Sequence, residues 1–228
     1  MIGIIGAMEI ETNGLVQKMT KVVVEKVGSY SFAKGKLSGK DLVVCRCGIG
    51  KVFSSTATAL MIEKYNVECV INIGVAGGVK PLKQGDVVVA EKTVQHDYDA
   101  VADGLILGQI HGFSSPYLEC DKTLVDKLCN ALKKTGEECK RGVIASGDCF
   151  VSSTEKSNFI ANTFGASAID MESAAVNQVC LLQGVPFCAM RAISDNADDE
   201  AVKSFYEFVT EASEKAIETI CIFVSEFN

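Results

Sequence analysis

The 228-residue chain has two histidines, three prolines and no CxxC pair. With so few histidines and no evident Ser/His pairing, nucleophilic acyl chemistry is poorly supported. No histidine lies at ligand spacing from a cysteine, which removes the usual structural zinc patterns. No Pro/Ser-rich linker, low-complexity tract or repeat interrupts the sequence, so residues 1–228 read as one compact domain. Long hydrophobic runs are missing too. The opening run Met1–Met8 stops at Glu9, too short for a signal peptide, and no other run reaches membrane-spanning length. A cytoplasmic protein without a membrane partner is expected. A basic excess is also absent: 22 Lys and Arg face 29 Asp and Glu, a net charge of −7. Such a chain has no phosphate-neutralising surface, so nucleic acid is not expected as a partner. A neutral or weakly charged small molecule fits better.

Ten cysteines are present, most of them inside apolar runs such as LVVCRC, VECVINIG and VPFCAM. Free cysteine packs as a small hydrophobe, and buried, reduced thiols are expected rather than a disulfide framework.

Strand-like runs fall at 1–5, 21–27, 31–37, 42–47, 69–73, 87–95, 142–146, 167–170 and 187–194. Helical periodicity occupies 9–19, 52–65, 122–134, 154–163, 172–183 and 201–227, with a loop excursion at about 97–117. This alternation predicts an α/β fold with a mostly parallel sheet covered by helices. Ligands in such sheets sit beyond the carboxyl ends of the strands. The segments there are GAMEIE, CGIGKV, IGVAGGV, SGDCFV, DMESAA and RAISDNADD.

Four of these segments carry acids, and those in GAMEIE, DMESAA and RAISDNADD bear on chemistry. On a helical wheel Glu11 shares the apolar face of Met8, Leu15 and Met19, whereas Glu9 falls well round and reads as a helix-dipole charge. Glu172 opens a helix whose buried face runs through Val176, Val179 and Cys180, and Asp170 reads as its N-cap. Asp195 ends a strand that also contains Arg191, which needs a carboxylate partner; Glu11 is the expected one. Acids at helix starts repel phosphate, so GIIGAM is neither a P-loop nor a dinucleotide fingerprint. Inward carboxylates suit a transition state that becomes cationic, or the activation of water. Cleavage of a sugar–nitrogen or sugar–oxygen bond is the obvious candidate.

In order and spacing, GIIGAMEIE, GIGKV, INIGVAGG, ASGDCFV, DMES and RAISDNAD resemble the 5′-methylthioadenosine/S-adenosylhomocysteine nucleosidases over nearly the whole chain. The resemblance implies a three-layer nucleoside phosphorylase-like sandwich around a central mixed, largely parallel sheet. It also implies a cytoplasmic homodimer in methionine salvage, without metal or organic cofactor, acting on an adenine nucleoside and water. By matching motif, Glu11 would be the general base and would hold the attacking water with Arg191. Met171 and Glu172 would contact the ribose, with Ile49 and Gly77 lining that side and Met8 and Val75 nearby. Phe150 would stack on adenine while the Val151 backbone pairs with its edge. Asp195, positioned by Ser194, would be the acid at N7, and Phe205 would close over the substrate. Departures from the family pattern are Val75 where serine is common and Asp170 where glutamate is common. Asp103 and His111 replace Phe and Pro in a loop that in the family reaches the partner's 5′ pocket. His96 and His111 read as loop or subunit-contact residues.

Other readings remain open at this point. A purine nucleoside phosphorylase would need arginines around a phosphate, and the 74–78 loop has none. Futalosine or 6-amino-6-deoxyfutalosine hydrolysis would use the same scaffold. A silent nucleoside-binding sensor would not need all the acids together with Arg191. A dinucleotide oxidoreductase lacks its fingerprint.

Overall fold

The computed structural model describes residues 1–227. Its first strand, β1 (Ile2–Gly6), is buried at every position and runs parallel to β4 (Lys40–Arg46) on one side and β5 (Cys69–Gly78) on the other. Strands covered on both faces have no polar side to show, which is why β1 and β5 read as continuous apolar runs. Beyond β4 the sheet continues antiparallel through β3 (Tyr30–Leu37) to β2 (Thr20–Val27), an exposed edge. On the other side β5 pairs with both β9 (Ala166–Asp170) and β10 (Phe187–Asp195). With β6 (Val87–Gln95) between β10 and β8 (Cys139–Ser146), and β8 beside β9, these five strands close into a ring. A short β7 (Tyr117–Glu119) extends β6.

Helices cover both sides of this mixed sheet. Helix α1 (Glu9–Lys18) and α3 (Lys122–Lys134) both pack on α6 (Ala201–Ser225), while α2 (Lys51–Tyr65) packs on α5 (Ser173–Gln183). Helix α4 (Thr154–Phe164) lies against β8 and β9. Local chemistry sets several ends. Asp121 caps α3 by accepting the Leu124 N–H at 2.9 Å, Ser153 caps α4, and Asn66 ends α2 in the left-handed conformation. No helix of the described residues is long and apolar enough to cross a membrane.

The expected α/β fold with a mixed sheet is the one observed, and three local readings are revised. Strand β5 runs to Gly78 rather than stopping at Ile73, because its glycine-rich end is held in ladders by β10 and β9. The stretch before Gly142 is strand from Cys139, and Tyr117–Glu119, at the end of the looped region, adds a further strand. This early start of β8 bears on the cysteines. Cys129 on α3 and Cys139 on β8 are disulfide-bonded, with Cα atoms 5.3 Å apart, against the expectation of ten reduced thiols. The helix and the strand that follows it fold back on each other, a proximity invisible while 139 counted as loop. The other eight are free; six are buried, including Cys45 and Cys47. Burial pushes the Cys45 thiol up to about 12.

The core runs along the paired β5 and β10, where Ile71, Ile73, Met190 and Ala189 are each at most 1% exposed. Replacing Ile71 by Ala in that strand is expected to cost about 2–5 kcal/mol of unfolding free energy. Chemical denaturation measures it, and a loss within error of zero would contradict this placement of the core.

Candidate active site

A cavity of about 450 Å³ opens at the carboxyl ends of the strands, under the first turns of α6. Each carboxylate reaches it for a local reason. Glu11 is the third residue of α1, so its side chain turns back to the helix start, where Oε2 accepts the Met8 N–H at 2.8 Å. Its Oε1 accepts the Val75 N–H from β5 at 3.0 Å. Only a glycine fits beside it: a Cβ at Gly74 would lie 2.5 Å from Glu11 Oε1. Glu172, immediately before α5, is held from the opposite side. Its Oε1 accepts the Gly50 N–H at 2.8 Å, at the N-terminus of α2, where the helix dipole favours an anion.

Asp195 owes its position to a β-bulge in β10, which shifts the register between Ile193 and Asp195 and re-aims the side chain. Its Oδ1 accepts the Ala197 N–H at 2.8 Å, and Oδ2 accepts the Ser194 hydroxyl at 2.9 Å. Ala197 takes a left-handed φ of 49°, uncommon for a residue with a Cβ, to make that turn. Gly77 faces the same carboxylate, where a Cβ would stand 2.9 Å from Oδ1. The apolar wall comes from elsewhere. Phe150 and Val151 follow β8, and Phe205 on α6 meets Phe150 edge-on with ring centroids 5.9 Å apart.

The structure thus brings Met8, Glu11, Ile49, Val75, Gly77, Phe150, Val151, Met171, Glu172, Ser194, Asp195 and Phe205 to one cavity. Arg191 is not among the lining residues, and its expected pairing with Glu11 is corrected. Its Nε and Nη2 reach Asp170 Oδ2 at 2.9 and 2.8 Å, and the guanidinium also donates to the side chain and carbonyl of Asn72. Glu11 is held by backbone N–H groups, whereas Asp170, across the strand ring, lies opposite the guanidinium and its Oδ2 meets both nitrogens. Asp170 also accepts the Ser173 N–H at 3.1 Å, so its expected capping role and the ion pair coexist. Glu9 is exposed and paired with Arg46, as a dipole charge should be. His96 is buried outside the cavity lining, and His111 lies 3.5 Å from Asp103 on the exposed loop.

Val202 and Tyr206 also line the cavity, and the sequence reading missed them. They sit three before and one after Phe205 on α6, and a helical wheel centred on Phe205 finds them. Ala7, Ala76 and Ala197 were missed as well, and nothing about an alanine announces a cavity.

Comparisons with known proteins follow the same lines. The family model described as "Phosphorylase superfamily" matches residues 1–227. A 5′-methylthioadenosine/S-adenosylhomocysteine nucleosidase of Staphylococcus epidermidis is 40% identical over 226 residues, 98% of this chain and 99% of that protein. The chain belongs to this nucleosidase family. The solved nucleosidase of Neisseria meningitidis in complex with methylthio-immucillin-A superimposes with a TM-score of 0.96 at 37% identity, covering 99% of each chain. Futalosine hydrolase of Helicobacter pylori is similar at 38% identity and a TM-score of 0.95, covering 99% of this chain and 97% of that one.

In this family member the three acids hold protons unusually well. Burial raises the Glu11 carboxyl, with the Arg191 charge and the N–H donors opposing it. Burial likewise raises Asp195, against the Ala197 and Ser194 hydrogen bonds. Glu172 is pushed up to about 8, first by burial and then by the neighbouring Asp170 charge. An acid whose folded value is raised contributes stability that is complete below the ordinary carboxyl range and is lost as pH climbs through the folded value. Glu172→Gln removes that loss while keeping an acceptor for Gly50. Its stability relative to wild type should therefore grow from about pH 4.5 to about pH 8. Thermal unfolding across that window measures the difference, and a pH-independent offset would contradict the burial argument.

Proposed function

We propose that this protein hydrolyses the N-glycosidic bond of 5′-methylthioadenosine and S-adenosylhomocysteine, releasing adenine. The observation that carries the proposal is the charge of the cavity. Among its described lining residues there is no Lys, Arg or His, and the charged side chains are Glu11, Asp170, Glu172 and Asp195. A phosphorylase needs cations around its phosphate, and the guanidinium groups of Arg191 and Arg46 are committed to Asp170 and Glu9. Water and an electron-poor sugar suit the acids instead.

In this mechanism Glu11 takes a proton from water as the water oxygen bonds to the anomeric carbon. Its raised proton affinity makes it a stronger base than an exposed carboxylate. Glu172 accepts hydrogen bonds from the ribose hydroxyls and favours positive charge on the ring, beside Met171. Adenine stacks on Phe150 and pairs with the Val151 backbone, and Phe205 closes over it. The electron pair of the breaking bond passes into the purine, and N7 receives the proton of Asp195. The raised value of Asp195 keeps that proton available. Adenine leaves neutral, the sugar keeps the new hydroxyl, and the proton on Glu11 returns to Asp195 through solvent. Arg191 acts from behind: its charge opposes the burial of Glu11 and Glu172 without touching the water.

The likeness to futalosine hydrolase favours a second reading with the same chemistry and a larger 5′ group. A cytoplasmic homodimer is also proposed, with the whole chain acting as one domain. Exposed Val52, Phe53, Val101, Ile106 and Leu182 supply apolar surface for a second copy.

Incubation with 5′-methylthioadenosine with and without phosphate tests the reaction. Free methylthioribose in both cases is the expected product, and a sugar 1-phosphate would overturn the proposal. Glu11→Gln should fold normally and lose on the order of 10²–10⁴ in kcat. Asp195→Asn should still bind adenine, since an amide can donate to N7, yet be nearly inactive. Substantial turnover by that variant removes Asp195 as the acid. The wild-type rate should fall on the alkaline side as Asp195 ionises, and a rate flat through that limb would contradict its role.

A further inference from the structure

Three loops leave the sheet beside the cavity: 48–50 after β4, 96–97 after β6 and 147–151 after β8. A closed ring of hydrogen bonds joins them. Lys51 Nζ donates to Asp97 Oδ1 at 2.7 Å and to Gln95 Oε1 at 3.1 Å. The other oxygen of Asp97 accepts the Asp148 N–H at 2.9 Å. Asp148 Oδ1 in turn accepts the Lys51 N–H at 2.8 Å, which closes the ring on the residue where it began. The ring is tight as well as closed, for a Cβ at Gly50 would lie 2.9 Å from Asp148 Oδ1. Burial pushes the Asp97 carboxyl up, but the Lys51 and Asp148 hydrogen bonds outweigh it and leave it lowered.

Neither Lys51 nor Asp97 lines the cavity. What the ring holds does. Gly50, one residue before Lys51, gives its N–H to Glu172. Phe150 and Val151, two and three residues after Asp148, form the apolar wall. A partly exposed ion pair contributes little stability by itself, so this geometry serves position more than folding. We propose that Lys51 and Asp97 are positioning residues that fix the sugar-holding carboxylate of Glu172 relative to the base-stacking wall at Phe150 and Val151. The proposal rests on the reading that the cavity takes an adenine nucleoside. It adds a coupling between the two halves of the site that neither half requires alone.

Lys51→Met and Asp97→Asn, singly and together, test it. Both are expected to keep wild-type circular dichroism and a thermal midpoint close to wild type. Each should weaken adenine binding and lower the preference for ribo- over 2′-deoxy-5′-methylthioadenosine, on the order of tenfold in each readout. The double variant should be no worse than the worse single one, because one ring is broken either way. A third measurement needs no ligand: amide exchange at Gly50 should accelerate in Asp97→Asn, although Gly50 does not touch Asp97. Additive losses, or a folded Lys51→Met with both readouts and Gly50 exchange unchanged, would overturn the proposal. If Asp97→Asn fails to fold, Lys51→Met decides alone. Failure of wild type to hydrolyse the substrate would refute the proposed function, while adenine binding and Gly50 exchange would still decide the ring.

Discussion

Glu11, Glu172 and Asp195 are buried carboxylates whose close donors are backbone N–H groups and one hydroxyl, not cations. Taking an ionised carboxylate out of water costs several kcal/mol unless a charge or enough hydrogen bonds replace the lost solvent. Here N–H groups from Met8, Val75, Gly50 and Ala197 replace part of it, and the shortfall appears as raised proton affinity. That shortfall is useful. A base strengthened by burial and an acid with raised proton affinity are the pair that glycosidic cleavage uses. Had Arg191 paired with Glu11, it would have held that carboxylate ionised and blunted it as a base. Asp170 takes the guanidinium instead, leaving a weaker field at the site.

The fold supplies these donors through places where strands end. Glycines at 74 and 77 let β5 pass within contact of two acids, so one strand serves both the water side and the base side. The bulge in β10 and the left-handed turn at Ala197 aim Asp195 into the same space. Both depart from regular strand geometry, and both occur where a side chain must be presented rather than packed. Across the cavity, the start of α2 presents Gly50 to Glu172, and the ring through Lys51, Asp97 and Asp148 ties that start to the aromatic wall.

Much of this was legible in the sequence. Buried parallel strands announce themselves as apolar runs, and Glu11 stood out because an acid on an apolar helical face is costly anywhere but a site. What escaped was set by contacts distant in sequence. The partner of Arg191 depends on which acid the strand ring brings opposite it, and one-dimensional spacing cannot rank Glu11 against Asp170. The end of β5 looked like a loop because glycine weakens strand propensity, and only its pairing with β9 and β10 overrides that. The Cys129–Cys139 bond likewise depends on α3 and β8 folding back on each other. Alanines in the lining carry no chemical signal at all.

Burial that raises the proton affinity of Glu11, Glu172 and Asp195 in the unliganded protein is the central claim. Carbon-13 NMR of the side-chain carboxyls, with Glu11→Gln, Glu172→Gln and Asp195→Asn for assignment, observes this directly. The predicted result is that all three titrate above the ordinary carboxyl range, with Glu172 at about 8. Three carboxyls titrating at ordinary values would contradict the account, because burial would then have cost them nothing.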